Sequence, residues 1–153
     1  MITTTLNMRG LDNLAKRMAT LSRASVKAGF FEDAKYDDGM SVATVAAWNE
    51  HGTRFHPERP FFQETLEDSA TKLKMIHFLK LAAKSSIKGE GAAARIMKQL
   101  GEFLAGRIKI TIGNYPGSNS ESTISRKGFN RPLYDTGKML ESVTFKFGNG
   151  AVA

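Results

Sequence analysis

Ser122 to Phe147 reads STISRKGFNRPLYDTGKMLESVTFKF, and these 26 residues decide how the chain closes its fold. A helix start, a basic glycine turn at Arg126-Lys127-Gly128, a proline at Pro132, a second helix start and a final strand follow in order. Asp135-Thr136-Gly137 sits where a helix begins, and Lys138 to Val143 supplies its body. Either Asp135 or Thr136 can accept a hydrogen bond from the first free backbone amides. Thr144 to Phe147 alternates polar and aromatic residues, the period of a short half-buried strand. No catalytic arrangement is present in it. The segment reads as architecture that must be shaped correctly.

Upstream, Asn114 to Ser122 (NYPGSNSES) is rich in turn formers and reads as a flexible loop. Before it, a helix over about Gly91 to Lys109 aligns Ile96, Leu100, Phe103, Leu104 and Ile108 on one face. Gly101 and Gly106 weaken that helix by roughly 1 kcal/mol each relative to Ala. A longer helix is expected from Pro60, suited to a first turn because its missing amide costs nothing there, to about Ser86, with Gly89 and Gly91 ending it. Phe62, Leu66, Ala70, Leu73 and Ile76 form one stripe; Met75, Phe78, Leu79 and Ala82 fall opposite. A helix apolar nearly all round is buried on more than one side. The second side meets either the chain's own core or another subunit, so Met75, Phe78, Leu79 and Ala82 are candidate interface residues.

Nearer the start, Ile2 to Asn7 is β-branched and suits an edge strand. Leu11, Leu14, Ala15, Met18 and Leu21 recur at helical spacing, with Asp12 in the first turn. Ser25 to Phe31 reads as a strand and Glu32 to Gly39 as a polar loop. Ser41 suits the N-cap of a short helix through Trp48 and Asn49, with Gly52 at its exit. The whole is an α+β fold: a small, mostly antiparallel sheet packed against one long helix and several shorter ones. At 153 residues it is expected to be a single domain, 1–153, burying about two-thirds of its unfolded surface.

The chain has no cysteine, which excludes disulfides and thiolate metal sites and fits a reducing cytoplasm. The N-terminus has no basic region followed by an apolar run, so no signal peptide is expected. No uninterrupted apolar run reaches about 18 residues, so no membrane span is expected either. The net charge of +7 is uneven: residues 1–52 balance to zero, whereas 53–88 and 89–153 carry +3 and +4. Such an excess attracts nucleic acid or an acidic protein, or simply solvates helix faces.

Chemistry is sparse. His51 and His56 flank a Gly-Thr turn near Glu50 and Glu58, but the spacing matches no standard zinc pattern, and His77 lies mid-helix. Glu50 and His51 are helix neighbours that point in different directions, a poor acid–base pair. There is no nucleophile elbow, P-loop or dinucleotide turn. No catalytic residue, metal or cofactor is expected. Arg126, Lys127 and Arg131 cluster around Gly128 and Phe129; three cations with an aromatic between them grip phosphate and stack on a base, or else order the turn and touch a neighbouring subunit.

Thr123-Ile124-x-Arg126-Lys127-Gly128, followed by Arg131-Pro132-Leu133-Tyr134-Asp135-Thr136-Gly137-x-Met139-Leu140-x-Ser142-Val143, resembles the C-terminal signature of a tailed-bacteriophage family. That family comprises neck and tail-completion proteins, including the minor tail protein Z type. A second block agrees: Asp38-Gly39, Val42-Ala43-x-Val45-Ala46, Asn49-Glu50-x-Gly52-Thr53, then Pro57-x-Arg59-Pro60-Phe61. It is similar to the family's glycine turn, short helix with an Asn-Glu-x-Gly-Thr corner, and Arg-Pro-Phe helix start. Order and spacing match from roughly Ser25 to Phe147. The resemblance assigns structural roles to Gly52, Arg59, Pro60, Phe61, Pro132, Asp135, Thr136 and Gly137. It implies a virion structural protein, made in the bacterial host cytoplasm and resident at the head–tail junction. Subunits would ring the DNA channel, joining the head connector to tail terminator or tube proteins. A hexamer is favoured, with a dodecamer matching the portal as the alternative. The rival reading is a small basic nucleic-acid-binding protein, with a hydrolase a distant third.

Overall fold

A computed structural model describes residues 9–88 and 91–148. The expected strand at Ile2 to Asn7 lies outside the described residues. In chain order the elements are α1 (Arg9–Arg23), β1 (Ser25–Gly29), α2 (Val42–His51), α3 (Phe61–Glu67), α4 (Ser69–Lys88), α5 (Ala92–Gly113), α6 (Glu121–Lys127), α7 (Lys138–Glu141) and β2 (Thr144–Gly148). The fold is α+β, as the sequence patterns indicate. Among the described residues the sheet is one antiparallel pair, β1 with β2, and there are two long helices where one was expected, α4 of 20 residues and α5 of 22. Among the described residues no helix is long and apolar enough to cross a membrane.

The strand pair is set by alternation. Val26 stands opposite Phe147 and Ala28 opposite Phe145, while Lys27 and Lys146 face each other on the outer side. Like charges directly opposite are unfavourable. Lys146 is drawn aside by Asp33, 3.7 Å away, and by the Phe31 ring at 4.4 Å. The inner face lies on α5, and Gly101 is the point of closest approach: a Cβ there would overlap the Phe145 ring. The helix propensity lost at Gly101 therefore makes room for a strand side chain. Gly106 has open space around it and no comparable packing reason.

α5 is the spine of two cores. Its C-terminal half, with Ala105, Ile108 and Ile112, packs with Val42, Ala46, Phe61, Leu133, Met139 and Val143. Its N-terminal half, with Met97, Leu100 and Leu104, packs with Ala82, joined by Met75, Phe78, Leu21 and Phe147.

The long helix expected from Pro60 is broken at Asp68, whose ψ of 126° is not helical. Asp68 instead caps α4: its Oδ2 accepts from the Thr71 amide and hydroxyl, each at 2.8 Å, and from Arg107 of α5 at 3.2 Å. The Thr71 amide, then its hydroxyl and Arg107, hold the Asp68 carboxyl below its ordinary range. The break resets the helical phase, which overturns the stripes extrapolated across it. Phe62 and Leu66 pack inward, but Leu73 and Ile76 face out. Met75, Phe78 and Ala82 turn inward instead, with Ala82 only 1% exposed, so this band is core of its own chain and not a free interface face. Leu79 alone of the four interface candidates is exposed.

Candidate functional site

The site grows from the end of α2. Ser41 occupies the N-cap position, although its hydroxyl makes no capping bond, and Gly52 ends the helix with φ 69° and ψ 174°. That backbone is almost exclusive to glycine, and a Cβ at Gly52 would lie 2.8 Å from the Glu58 nitrogen. The turn that follows is closed by two backbone bonds between Thr53 and His56, while the Thr53 hydroxyl accepts from the Phe55 and His56 amides. The chain thereby folds back so that the Arg59 amide donates to the Asn49 carbonyl at 2.7 Å.

Glu50 then starts the next helix from a distance. Its two carboxylate oxygens accept from the Phe62 and Gln63 amides at 2.8 and 2.9 Å. Free amides at a helix start favour an anion on both hydrogen-bonding and dipole grounds. Pro60 just before α3 has no donor to leave unmet, and Phe61 is buried edge-on against Phe30 and Phe62. Both oxygens are thus engaged by α3, and Glu50 caps that helix.

Arg59 joins the two sequence blocks that carry the resemblance. Asn49 donates to the Val45 carbonyl, which turns its Oδ1 toward Arg59 Nη1 at 3.3 Å. The guanidinium also reaches the Pro132 carbonyl and Asn119 Oδ1, both at 3.5 Å. Asn119 belongs to the stretch expected to be a flexible loop, yet it is 8% exposed, and its amide donates to Asn130 Oδ1 at 2.8 Å. Its Nδ2 is buried without a partner among the described residues. The latter half of the loop is thus pinned, ending at Ser120, whose hydroxyl caps α6 through the Thr123 amide.

The basic cluster does not act as one group. Lys127 Nζ donates to the Tyr134 carbonyl at 2.6 Å, and burial pushes its pKa down. Arg131 donates to the Gly113 carbonyl at the end of α5 and stacks 4.2 Å from the Tyr134 ring centre. Both tie the turn after Gly128 to the fold, and Arg126 alone of the three points to solvent without such an anchor. At the second helix start one of the two candidate acceptors is chosen. Gly137 takes φ 87° beneath the Tyr134 hydroxyl, and the oxygen that accepts the Lys138 amide is that of Thr136, at 3.3 Å, rather than the Asp135 carboxylate. Lys138 reaches Asp37 at 2.8 Å, latching the acidic loop onto α7.

Together these segments enclose an open groove of about 590 Å³. Met40, Trp48 and Phe55 are exposed along it, Phe55 by 74% with the Arg54 guanidinium 4.4 Å over its ring. Arg59, Pro132, Asp135, Thr136 and Gly137 line it as well, as do Arg126 and Lys127. Sequence reasoning missed the aromatic exposure and Asn119. An apolar residue in a short helix reads as core, and a polar one among turn formers reads as solvated. Among the described residues no three His, Asp or Glu side chains gather as a metal site. No family model, curated protein or solved structure matches the chain.

Proposed function

We propose that this chain is a virion structural protein at the head–tail junction of a tailed bacteriophage, a neck or tail-completion subunit. It forms a ring around the DNA channel, hexameric by preference, and joins the head connector to the tail terminator or tube. One observation carries the reading. The two blocks on which the resemblance rests, 73 residues apart at Arg59 and Pro132, are keyed together through the Arg59 guanidinium. Their polar groups are engaged with one another: Asn49 and Asn119 with Arg59, Glu50 with the α3 amides. A motif conserving its own shape in this way suits stoichiometric assembly better than turnover.

The test is a phage lacking this chain. Filled heads and finished tails should accumulate separately in electron micrographs, and supplying the chain should join them. Joined particles in its absence would overturn the assignment. The second reading, a basic nucleic-acid-binding protein, draws on the exposed Arg126 and the +7 charge. Binding that neutralises several phosphates weakens steeply with salt. The neck reading expects weak duplex binding that vanishes near physiological salt; tight, sequence-selective binding there would favour the rival.

A further inference from the structure

Two surfaces have no part in the Arg59 junction. On the outer side of α4, Leu73, Ile76 and Ile87 are all exposed, Leu73 by 69%. With Lys80 and Lys84 they recur at three- and four-residue spacings, so they share one side of the helix. The helix holds five lysines and no carboxylate. None of the three ion pairs among the described residues includes an α4 lysine. The other surface is the loop 32–39, EDAKYDDG, with four carboxylates against one lysine. Asp33 and Asp37 stay almost wholly in solvent although each pairs with a lysine of its own chain. Met40 follows this loop directly, and Trp48 and Phe55 lie exposed along the same groove.

We propose that the outer face of α4 in one subunit docks on the acidic loop and the Met40–Trp48–Phe55 rim of a second copy of this chain. One patch is apolar with cations; the other joins exposed apolar side chains to a loop carrying four carboxylates. A helix laying regularly spaced apolar anchors into a groove is a common mode of recognition, and the flanking charges fix orientation and exclude wrong partners. Because the two patches differ, the contact is head-to-tail and repeats into a closed ring or an open filament. Duplex DNA would satisfy the lysines but leaves Leu73, Ile76 and Ile87 facing phosphates, so a second copy is the better occupant. Among the groove's cations, Lys138 is paired with Asp37, and Arg59 and Lys127 donate to oxygens of their own chain. Arg126, and Arg54 stacked on Phe55, are the charges an incoming lysine must avoid. The docking rests on the ring-forming reading for its setting, while the two patches stand on their own chemistry.

The experiment is sedimentation velocity on the full chain across a concentration series. The unaltered protein should associate beyond the dimer. Lys80→Glu with Lys84→Glu, and separately Glu32→Lys with Asp37→Lys, should each stay monomeric at roughly tenfold higher concentration, because like charges now oppose across the contact. Mixing the two variants should restore assembly, since each reversed face meets its reversed counterpart. Leu73→Ser with Ile76→Ser, which leaves every charge in place, should also be monomeric. Circular dichroism should be unchanged in all of them, and melting should fall only in the variant carrying Asp37→Lys, which breaks the pair with Lys138; recovery of assembly on mixing separates that loss from loss of the contact. An unaltered chain that remains monomeric, variants that assemble normally, or a mixture that stays monomeric would overturn the docking. So would a Lys80→Glu, Lys84→Glu variant that loses duplex DNA but assembles as before. If docking holds but heads and tails join without the chain, the neck assignment falls alone. If joining requires the chain but the variants assemble normally, the docking falls alone.

Discussion

The two halves of α5 are held by different kinds of contact. Around Ala105, Ile108 and Ile112, the apolar core is bordered by directional polar links: Glu50 on the α3 amides, Arg59 between Asn49 and Asn119, Arg131 on the Gly113 carbonyl. Around Met97, Leu100 and Leu104 the partners are mostly Met, Leu and Phe, and α1 contributes no fully buried residue. Apolar packing supplies free energy without fixing one arrangement, whereas satisfied polar networks specify it. The first half therefore fixes a shape. The second half supports a helix whose outer face is left available.

Substitutions along this divide should separate shape from association. Phe61→Ala in the polar-linked half should have the largest effect, about 3–5 kcal/mol of stability, read from urea unfolding. Gly52→Ala should follow. Its backbone conformation alone costs about 1–3 kcal/mol for any other residue, before the contact with the Glu58 nitrogen is relieved. Glu50→Ala should cost about 1 kcal/mol as a lost helix cap, with Glu50→Asp failing to rescue if two-point reach to both amides is what matters. Smaller again is the pH response of Asp68, which links α4 to α5. Its folded pKa lies below the ordinary 3.8, so its contribution is complete above that value and is lost as pH falls through the lowered one. Asp68→Asn should flatten the acid limb of the stability curve in that window. Least of all, Leu73→Ser should change stability by no more than about 0.5 kcal/mol, as exposed sites generally do. A large loss there would place α4's outer face inside the fold and erase the contrast between the halves.

How far the sequence carried the reading follows the same division. α1, β1, α5 and β2 were legible because one periodicity runs unbroken through each, and α2 because Ser41 and Gly52 mark its two ends; Val26, Ala28, Phe145 and Phe147 announce their strand face directly. The join at Asp68 was not, because apolar residues continue across it and only the Asp-Ser-Ala-Thr cap signals a new start. One residue of altered ψ then set Met75, Phe78 and Ala82 against the chain's own core and left Leu73 and Ile76 outside. At the C-terminal block, composition identified the turns but not which neighbour would cap, since Asp135 and Thr136 are equally suited locally and only tertiary placement chooses Thr136. The Arg59 junction was out of reach for another reason. Its partners Asn119 and Pro132 lie 60 and 73 residues away, and no local pattern encodes that meeting.

The β1–β2 pairing also has a consequence in time. Ser25 pairs with Gly148, so the strand that covers Gly101 and shields Val26 is nearly the last part of the described chain to leave the ribosome. Contacts that close such long loops form slowly, because the chain must order its ends before the contact repays the cost. Until β2 arrives, α5 carries an uncovered groove at Gly101 just where Phe145 will sit. Emergence of β2 thus works as a gate: a nascent chain presents helices early, but the surface over Gly101 is finished only once β2 has closed on β1.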